Sequence, residues 1–593
     1  RPVVTTILTT FLVFAPMFFM PGLFGKYVVP IPLAITLALL VSLIEVVVAL
    51  PAHMVPGLRR SSAKKVGHSW FYPLRNWYKG VVFHFLRFRY ILVPIFVMAL
   101  IGALWYGGNF IKFILFPSNM ADSFYMILEL PTGSSLQATS DKVAEIEQMI
   151  ARLPEEELAS FNARIGTNYS EVFFMAESEN YAALKVRLTP FSERSRTADE
   201  IVEELRAQTD RLGGIERITY GIEAGGPPVG KPVNIRVVGS DDSLRSQLAD
   251  SIEVFLAEIP GVKDISRDDK PGKDQVAIDV DYDRLSRLGL TVADVAQNVR
   301  IAYDGEAVTS VRYGDEDVDF RIMMQPEVRK QLDYLTDLPI PNRQGRLIPL
   351  GEVASLRTGP GPSDYRHYDG ERTVTVEADV DMDIITPLEV TDAVFDNFDV
   401  DRDWPGLQLG LGGEAFETEE SVAGLLRTFL IAMIGVYFLL VILFNSFSQP
   451  FLVMVAIPFG IIGVIVAFAL HGEPFSFTAI MGIIGLSGVV VNDSLVMVSH
   501  INDLRRQRPD DSLLRIVAEG TSNRLRAIVL TTITTVVALL PLAYGIGGTA
   551  VFMAPMALAL GWGLFFATPL TLVLVPCLYV VGQDIGRIFR RSK

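Results

Sequence analysis

Eight long apolar runs punctuate the chain and enclose one long polar stretch. Val3–Met20 and Pro30–Ala52 open it, Tyr90–Phe110 follows, and Leu425–Phe444, Phe451–Leu470, Phe477–Val498, Ala527–Gly547 and Phe552–Val581 close it. Each is close to the ~20 residues that carry a helix across the hydrocarbon core of a bilayer. The pattern therefore predicts eight membrane spans. From about Lys112 to Glu420 the sequence turns polar, and strand-like alternation interleaves with helical periodicity. Phe124–Leu130 precedes Ser135–Leu153, Ala182–Leu188 precedes Thr197–Leu212, and Val233–Val238 precedes Asp242–Glu258. Later come Val276–Val280, a helix from Thr291, strands near Phe320–Met323 and Thr373–Val380, and a helix over Pro387–Phe398. Thr197–Glu200 and Thr291–Asp294 read as capping boxes. The fold class is an α-helical polytopic membrane domain plus an α+β domain, the latter built of two split βαβ sandwiches with a module inserted in the second.

Basic residues orient the spans, because lysine and arginine concentrate in cytoplasmic loops. Met54–Tyr90 holds Arg59, Arg60, Lys64, Lys65, Arg75, Lys79, Arg87 and Arg89 with no acidic residue. The His500–Arg526 loop and the tail (Arg587, Arg590, Arg591, Lys593) are basic as well. With all three in the cytoplasm, the polar insert falls on the opposite side.

An internal repeat runs through the apolar part. RPVVTTILTTFLVFAP at Arg1–Pro16 aligns without a gap on RAIVLTTITTVVALLP at Arg526–Pro541, and the same offset pairs Pro30 with Pro555 and Pro51 with Pro576. Parallel membrane repeats mark transporters, whose coupling site lies near the interface of the halves. The first residue is Arg1, so the chain reads as one full half and the tail of another, with the counterpart of Asn492–Asp493 expected about thirty residues before Arg1.

Composition narrows the class. Of 593 residues half are hydrophobic, with a mean hydropathy of +0.35, too apolar for a soluble enzyme. The formal charge of −15 argues against nucleic acid as a partner. The single cysteine, Cys577, lies in an apolar run, and the six histidines show no paired-ligand spacing. No cofactor and no metal site is expected. Gly225–Lys231, GGPPVGK, imitates a phosphate loop, but Pro232 stands where Ser or Thr must hold magnesium, so it reads as a linker.

The candidate chemistry sits in MGIIGLSGVVVNDSLVMVSHI, Met481–Ile501. A carboxylate at a span centre costs ~2.5–3.5 kcal/mol on insertion scales, and such residues usually face a bundle interior and act there. Asp493 is therefore the candidate proton- or ion-handling group. Gly485, Gly488 and Asn492 share one face and invite a neighbouring helix close. Thr531, Thr534 and Thr535 form a hydroxyl stripe at similar depth, and Glu45 is a further carboxylate in lipid. Tyr169–Tyr181 is loop-like and holds Phe173, Phe174, Met175 and Tyr181, side chains that suit adaptable apolar pockets.

FAPMFFMPG at Phe14–Gly22, LPTGSS at Leu130–Ser135, LGLTVADV at Leu288–Val295, NSFSQP at Asn445–Pro450, GLSGVVVNDSLVMV and RLRAIVLTT together carry a resemblance. Over essentially its whole length the chain resembles the C-terminal half of a resistance–nodulation–division (RND) efflux permease, AcrB-like, of the hydrophobe/amphiphile branch. The resemblance implies a homotrimer in the bacterial inner membrane, a periplasmic adaptor protein and an outer-membrane channel as partners, amphiphilic substrates, and proton antiport without covalent catalysis. It divides the chain into spans over 1–53, a cytoplasmic basic segment over 54–90, and a span over 91–111. A porter subdomain then covers 112–223, a second covers 224–273 and 366–420, and a docking subdomain covers 274–365. Five spans over 421–583 and a tail over 584–593 complete it. The family relay carried over by position gives Asn492 in place of a lysine, Asp493 beside it, Arg524 and Thr531, with an aspartate pair upstream of Arg1. The substrate pocket and switch loop correspond to about Phe173–Tyr181. Two alternatives accompany this reading. One is a heavy-metal cation pump using Met120, Met126, Met175, Met323 and Met324 as soft ligands; the other is a non-transporting partner subunit of an envelope complex.

Overall fold

The computed structural model describes residues 2–61, 71–118, 121–168, 176–223, 225–362, 364–546, 548 and 550–591. Among them, seven helices are long and apolar enough to cross a membrane, and Val4–Phe19 is a shorter apolar one. The first expected span is thus abbreviated: α1 (Pro2–Phe14) tightens into a 3-10 turn over Ala15–Phe19, where Pro16 removes a helix donor. The second runs through α2 (Gly22–Val28), α3 (Pro30–Ile44), a π turn at Glu45–Ala49 and α4 (Leu50–Ser61).

The basic segment continues as α5 (Phe71–Arg87), an amphipathic helix that buries Tyr78, Val82 and Leu86 at four-residue spacing. The Tyr78 hydroxyl donates to the Leu572 carbonyl at 2.8 Å, and Lys79 pairs with Glu519 at 3.2 Å. α6 (Arg89–Phe110) then crosses, its Arg89 paired with Asp584 at 2.8 Å.

The polar insert begins with a β-α-β-β-α-β lobe: β1 (Ser123–Glu129), α7 (Leu136–Ile150), β2 (Leu158–Asn168), β3 (Ala176–Leu188), α8 (Ala198–Thr209) and β4 (Arg217–Ile222). The sheet order is β2-β3-β1-β4, all antiparallel, which is the split βαβ arrangement. Alternate residues Phe124, Met126 and Leu128 point under the helices onto Val143, Ile146, Ile201 and Leu205. Each such fully buried side chain is worth ~1.5–3 kcal/mol relative to exposure. The Thr197–Glu200 capping box starts α8 as its sequence predicts.

The second lobe repeats the plan with β5 (Val233–Gly239), α9 (Asp242–Glu258), β6 (Val262–Arg267), β7 (Glu371–Val380), α10 (Pro387–Asn397) and β8 (Leu407–Gly412). β7 pairs with β5 and β6, and β8 pairs with β5. Thr386 and Glu389 form a further capping box at α10.

Between β6 and β7 the chain forms a separate compact unit, Asp268–His367. A ladder of Pro271–Val280 with Ala354–Pro362, the helix Val292–Tyr303 behind its Thr291–Asp294 cap, and a hairpin over Glu306–Ile322 make up much of it. Leu285, Leu290, Ile340, Ile348, Leu350 and Val353 fill its core.

The remaining spans are α11 (Gly413–Phe444), α12 (Ala456–His471, entered through the short helix Gln449–Met454), α13 (Phe477–Gln507), α14 (Leu513–Ala543) and α15 (Ala554–Arg591). α13 is the axis of this group: it packs against α1, α11, α12, α14 and α15.

Candidate functional site

Small residues let α13 occupy the centre. A Cβ placed on Gly485 would meet the Phe14 ring at 3.0 Å, and one on Gly488 would meet the Thr10 backbone at 3.5 Å. The expected glycine ridge therefore faces α1. Gly482, one turn earlier, faces α15 instead: its Cβ would fall 2.8 Å from the Met556 carbonyl oxygen.

Continuing along α13 brings Asn492, Asp493 and Ser494, where the saturation of the bundle fails. The Asn492 Oδ1 and the fully buried Ser494 Oγ have no hydrogen-bond partner among the described residues. No hydrogen bond or ion pair reaches the half-buried Asp493 carboxylate from the described residues either. Leaving one buried polar group unmatched costs about 1–3 kcal/mol, so two of them flanking an unpaired carboxylate call for a role. Ser487, seven residues earlier, shows the ordinary solution by donating to its own helix at the Ile484 carbonyl, 2.6 Å away. Ser494 forgoes it. Sequence reasoning missed Ser494, since nothing local tells a back-bonded serine from a free one. An unpaired carboxyl beside an amide and a hydroxyl is a place where a proton or cation is taken up and released without breaking an ion pair.

The other expected partners lie elsewhere. Thr531 and Thr534 occupy an exposed face of α14 and bond to carbonyls of their own helix, Thr531 to Ile528 at 2.8 Å and Thr534 to Leu530 at 2.9 Å. The threonine that faces the bundle is Thr532, bonded to Thr568 of α15 at 2.8 Å. Arg524, its Nε buried without a partner, sits beside Asn523, whose amide is 3.5 Å from His500 Nε2. His500 lies seven residues past Asp493, about 10 Å further along α13 at 1.5 Å per residue. Glu45 is exposed on the π turn and has no contact with this site. Asn492, Asp493 and Ser494 are thus successive positions of one helix, while Thr531 bonds within its own helix and Glu45 is exposed.

Outside the membrane, a cavity of about 620 Å³ lies between the two βαβ lobes and the first turn of α11. The Gly225–Lys231 linker forms one wall, and Lys231 pairs with Asp379 at 3.1 Å, so this segment cradles no phosphate. Its acids are largely matched: Glu203 by Lys263 at 2.7 Å and Glu223 by Lys185 at 2.8 Å. Two are not matched by a cation. Asp199 accepts from the Ser118 hydroxyl at 3.0 Å, and burial pushes its carboxyl above the usual range while that bond, a backbone hydrogen bond and the Lys263 charge oppose the shift. Glu414 is buried at the start of α11 with no side-chain partner among the described residues.

Of the expected substrate-pocket residues, Phe173, Phe174 and Met175 lie outside the described residues. Tyr181 sits within β3 and donates to Glu129 at 2.8 Å, and Glu129 also takes Arg217 at 2.8 Å. It braces the sheet and does not line the cavity. The candidate soft ligands are scattered: Met126 is in the first lobe's core, Met323 and Met324 belong to the separate unit, and Met120 and Met175 lie outside the described residues. Among the described residues no three His, Cys, Asp or Glu converge to hold a metal ion.

The sequence profile of the AcrB/AcrD/AcrF family matches residues 1–583. The chain is 27% identical over 602 residues to the cobalt-zinc-cadmium resistance protein CzcA of Cupriavidus metallidurans, covering 98% of this chain and 55% of that protein. It is 24% identical over 554 residues to the multidrug resistance protein MdtC of Photorhabdus laumondii, covering 90% and 51%. The crystal structure of a heavy metal efflux pump superimposes with a TM-score of 0.81 at 23% identity, over 98% of this chain and 57% of that one, a likeness of fold. The chain spans about half the length of the curated relatives it matches.

Proposed function

The chain belongs to the AcrB/AcrD/AcrF family of RND permeases, and from that membership we propose that it is the coupling half of a secondary efflux transporter of the bacterial inner membrane, driven by protons. The observation that carries the reading is the Asp493 carboxylate, without a hydrogen bond or ion pair among the described residues, between the unmatched Asn492 Oδ1 and Ser494 Oγ on the central helix of the bundle. In this account Asp493 is neutral in one conformation and ionised in the other, and the change in its solvation moves α13 against α1 and α15. The energetics suffice: a proton crossing 100 mV yields ~2.3 kcal/mol, while a tenfold concentration of solute costs ~1.4 kcal/mol. As in the family at large, the working form is a trimer joined to a periplasmic adaptor and an outer-membrane channel.

For the cargo, we propose a divalent heavy-metal cation. Relatives named for cobalt, zinc, cadmium and nickel resistance support it, as does a cavity whose two uncompensated groups, Asp199 and Glu414, are carboxylates. Oxygen donors without convergent geometry suit passage more than tight ligation. Export of amphiphiles is the second reading, favoured by the MdtC relatives. The test is susceptibility of a deletion strain carrying the intact gene or its variants, over cobalt, zinc, cadmium and nickel salts and a set of amphiphiles. Wild type restores metal tolerance, Asp493→Ala abolishes it with membrane insertion intact, and Asp199→Asn with Glu414→Gln weakens it severalfold. Restoration of amphiphile tolerance alone moves the assignment to the second reading. Full resistance in Asp493→Ala removes Asp493 from the mechanism.

A further inference from the structure

Three span ends meet on the non-cytoplasmic side: α12 stops at His471, α14 stops at Ala543, and α15 begins at Ala554. They enclose a cavity of about 160 Å³, lined by Phe468, Ala543, Val551 and Leu558 along its depth and by His471, Glu473 and Tyr544 at its polar edge. Its hydrogen bonds are ordered. His471 Nδ1 is 2.7 Å from the Ala467 carbonyl, and Nε2 is 2.8 Å from the Tyr544 hydroxyl. The Trp562 indole donates to that same hydroxyl at 2.9 Å. The carbonyl of Ala467 accepts from Nδ1, and the Tyr544 hydroxyl bridges His471 Nε2 and the Trp562 indole, so the polar groups of this wall are matched to one another. Tyr544 and Trp562 lie with ring centroids 5.8 and 5.7 Å from the His471 ring.

Glu473 is the odd member. Gly472, in the left-handed region at φ 68°, turns the chain out of α12 and delivers Glu473 to the cavity. Among the described residues its carboxylate takes no hydrogen bond and no ion pair. The carbonyl ends of α12 and α14 add partial negative charge at the same mouth, against the single opposing amino end of α15. Burial pushes the Glu473 carboxyl up and the nearby His471 ring opposes the shift. The site thus pairs an unsatisfied anion with aromatic faces in a space of headgroup size, at the membrane–water boundary.

We propose that this cavity binds a quaternary ammonium group, with Glu473 as counter-ion and the Tyr544 and Phe468 rings as its aromatic wall. Ring faces attract such cations, and the attraction strengthens where water is thin. A trimethylammonium head is too well filled with methyl groups to need hydrogen-bond donors, which fits a wall whose donors are already used among themselves. The group could be delivered by a choline lipid of the surrounding leaflet or by a free cationic solute.

Saturable binding of radiolabelled choline to the full chain in phosphatidylglycerol nanodiscs tests the proposal. Tetramethylammonium displaces choline, whereas 3,3-dimethylbutan-1-ol, its uncharged counterpart, requires at least tenfold more. Glu473→Gln weakens binding tenfold or more, and Glu473→Asp stays within threefold of wild type. Equal displacement by the neutral alcohol, unchanged binding in Glu473→Gln, or no saturable binding in wild type overturns it. The displacement pair uses the wild-type chain alone, so a poorly folding variant does not decide the matter. Repeating the titration in phosphatidylcholine nanodiscs separates the sources: choline binding that disappears identifies the lipid headgroup, and binding that persists identifies the free cation.

Discussion

Replacing Gly482 by alanine drives a methyl group into a place where nothing flexible can yield. The new Cβ would lie 2.8 Å from the Met556 carbonyl oxygen and 2.8 Å from the Ala559 Cβ, inside the 3.0 Å that real Cβ contacts essentially never reach. Both obstacles belong to the rigid part of α15, so α13 and α15 must separate by several tenths of an ångström. Overpacking of this kind costs about 1–3 kcal/mol. Gly488→Ala is the matched control, because its Cβ would meet Thr10 and Val13 of α1 at 3.5 Å, an ordinary contact. Both substitutions gain the same helix propensity, so the difference between them isolates the steric term. Equilibrium unfolding of the purified chain in mixed micelles, followed by circular dichroism, should place Gly482→Ala about 1–3 kcal/mol below Gly488→Ala. If the two unfold together, or if Gly488→Ala is the weaker, the packing described for α13 is wrong.

Other outcomes follow from the same geometry. Tyr78→Phe removes the hydroxyl that ties α5 to the Leu572 carbonyl and should cost ~1 kcal/mol, read by the same unfolding assay. Arg196 bonds the buried Glu157 and holds its carboxyl below the ordinary range, so that stabilisation is full above about pH 4.3, the usual glutamate value, and is lost as pH falls through the lower folded value. Arg196→Met should flatten this acid limb in a pH series of thermal unfolding and cost ~1.5–3 kcal/mol at neutral pH. Asp199 has the opposite sign: its raised carboxyl stabilises the lobe only below the usual aspartate value and loses that contribution as pH rises through the folded one. Asp199→Asn should therefore leave neutral-pH stability unchanged or raised, with the gain vanishing in acid.

What the sequence made legible is what a bilayer imposes. Runs of ~20 apolar residues have few other uses, and a carboxylate inside one is conspicuous, so the spans and Asp493 stood out. Local chemistry was equally plain where it is self-contained, as at the Thr197–Glu200 and Thr291–Asp294 caps. Burial was not legible. Thr9 of α1 and Thr534 of α14 occupy equivalent places in the repeat, yet Thr9 is fully buried and Thr534 is exposed, because the two helices have different neighbours. In the hairpin over Glu306–Ile322 the alternating Val318, Phe320 and Ile322 announce a strand, yet every position is exposed apart from Glu306 itself, so the alternation marked no covered face. Glu414 was hidden for another reason. It opens a helix whose apolar majority reads as a span, while its own turn packs against Lys231 and lies near Asp379, two positions distant in the chain.

The most direct test of the account is an infrared difference spectrum of the purified chain between acid and alkaline buffer, comparing wild type with Asp493→Asn. The account predicts a protonated-carboxyl band that comes and goes with pH in wild type and is missing from the variant while the amide bands are unchanged. A wild-type spectrum in which no carboxyl band depends on Asp493 would contradict it.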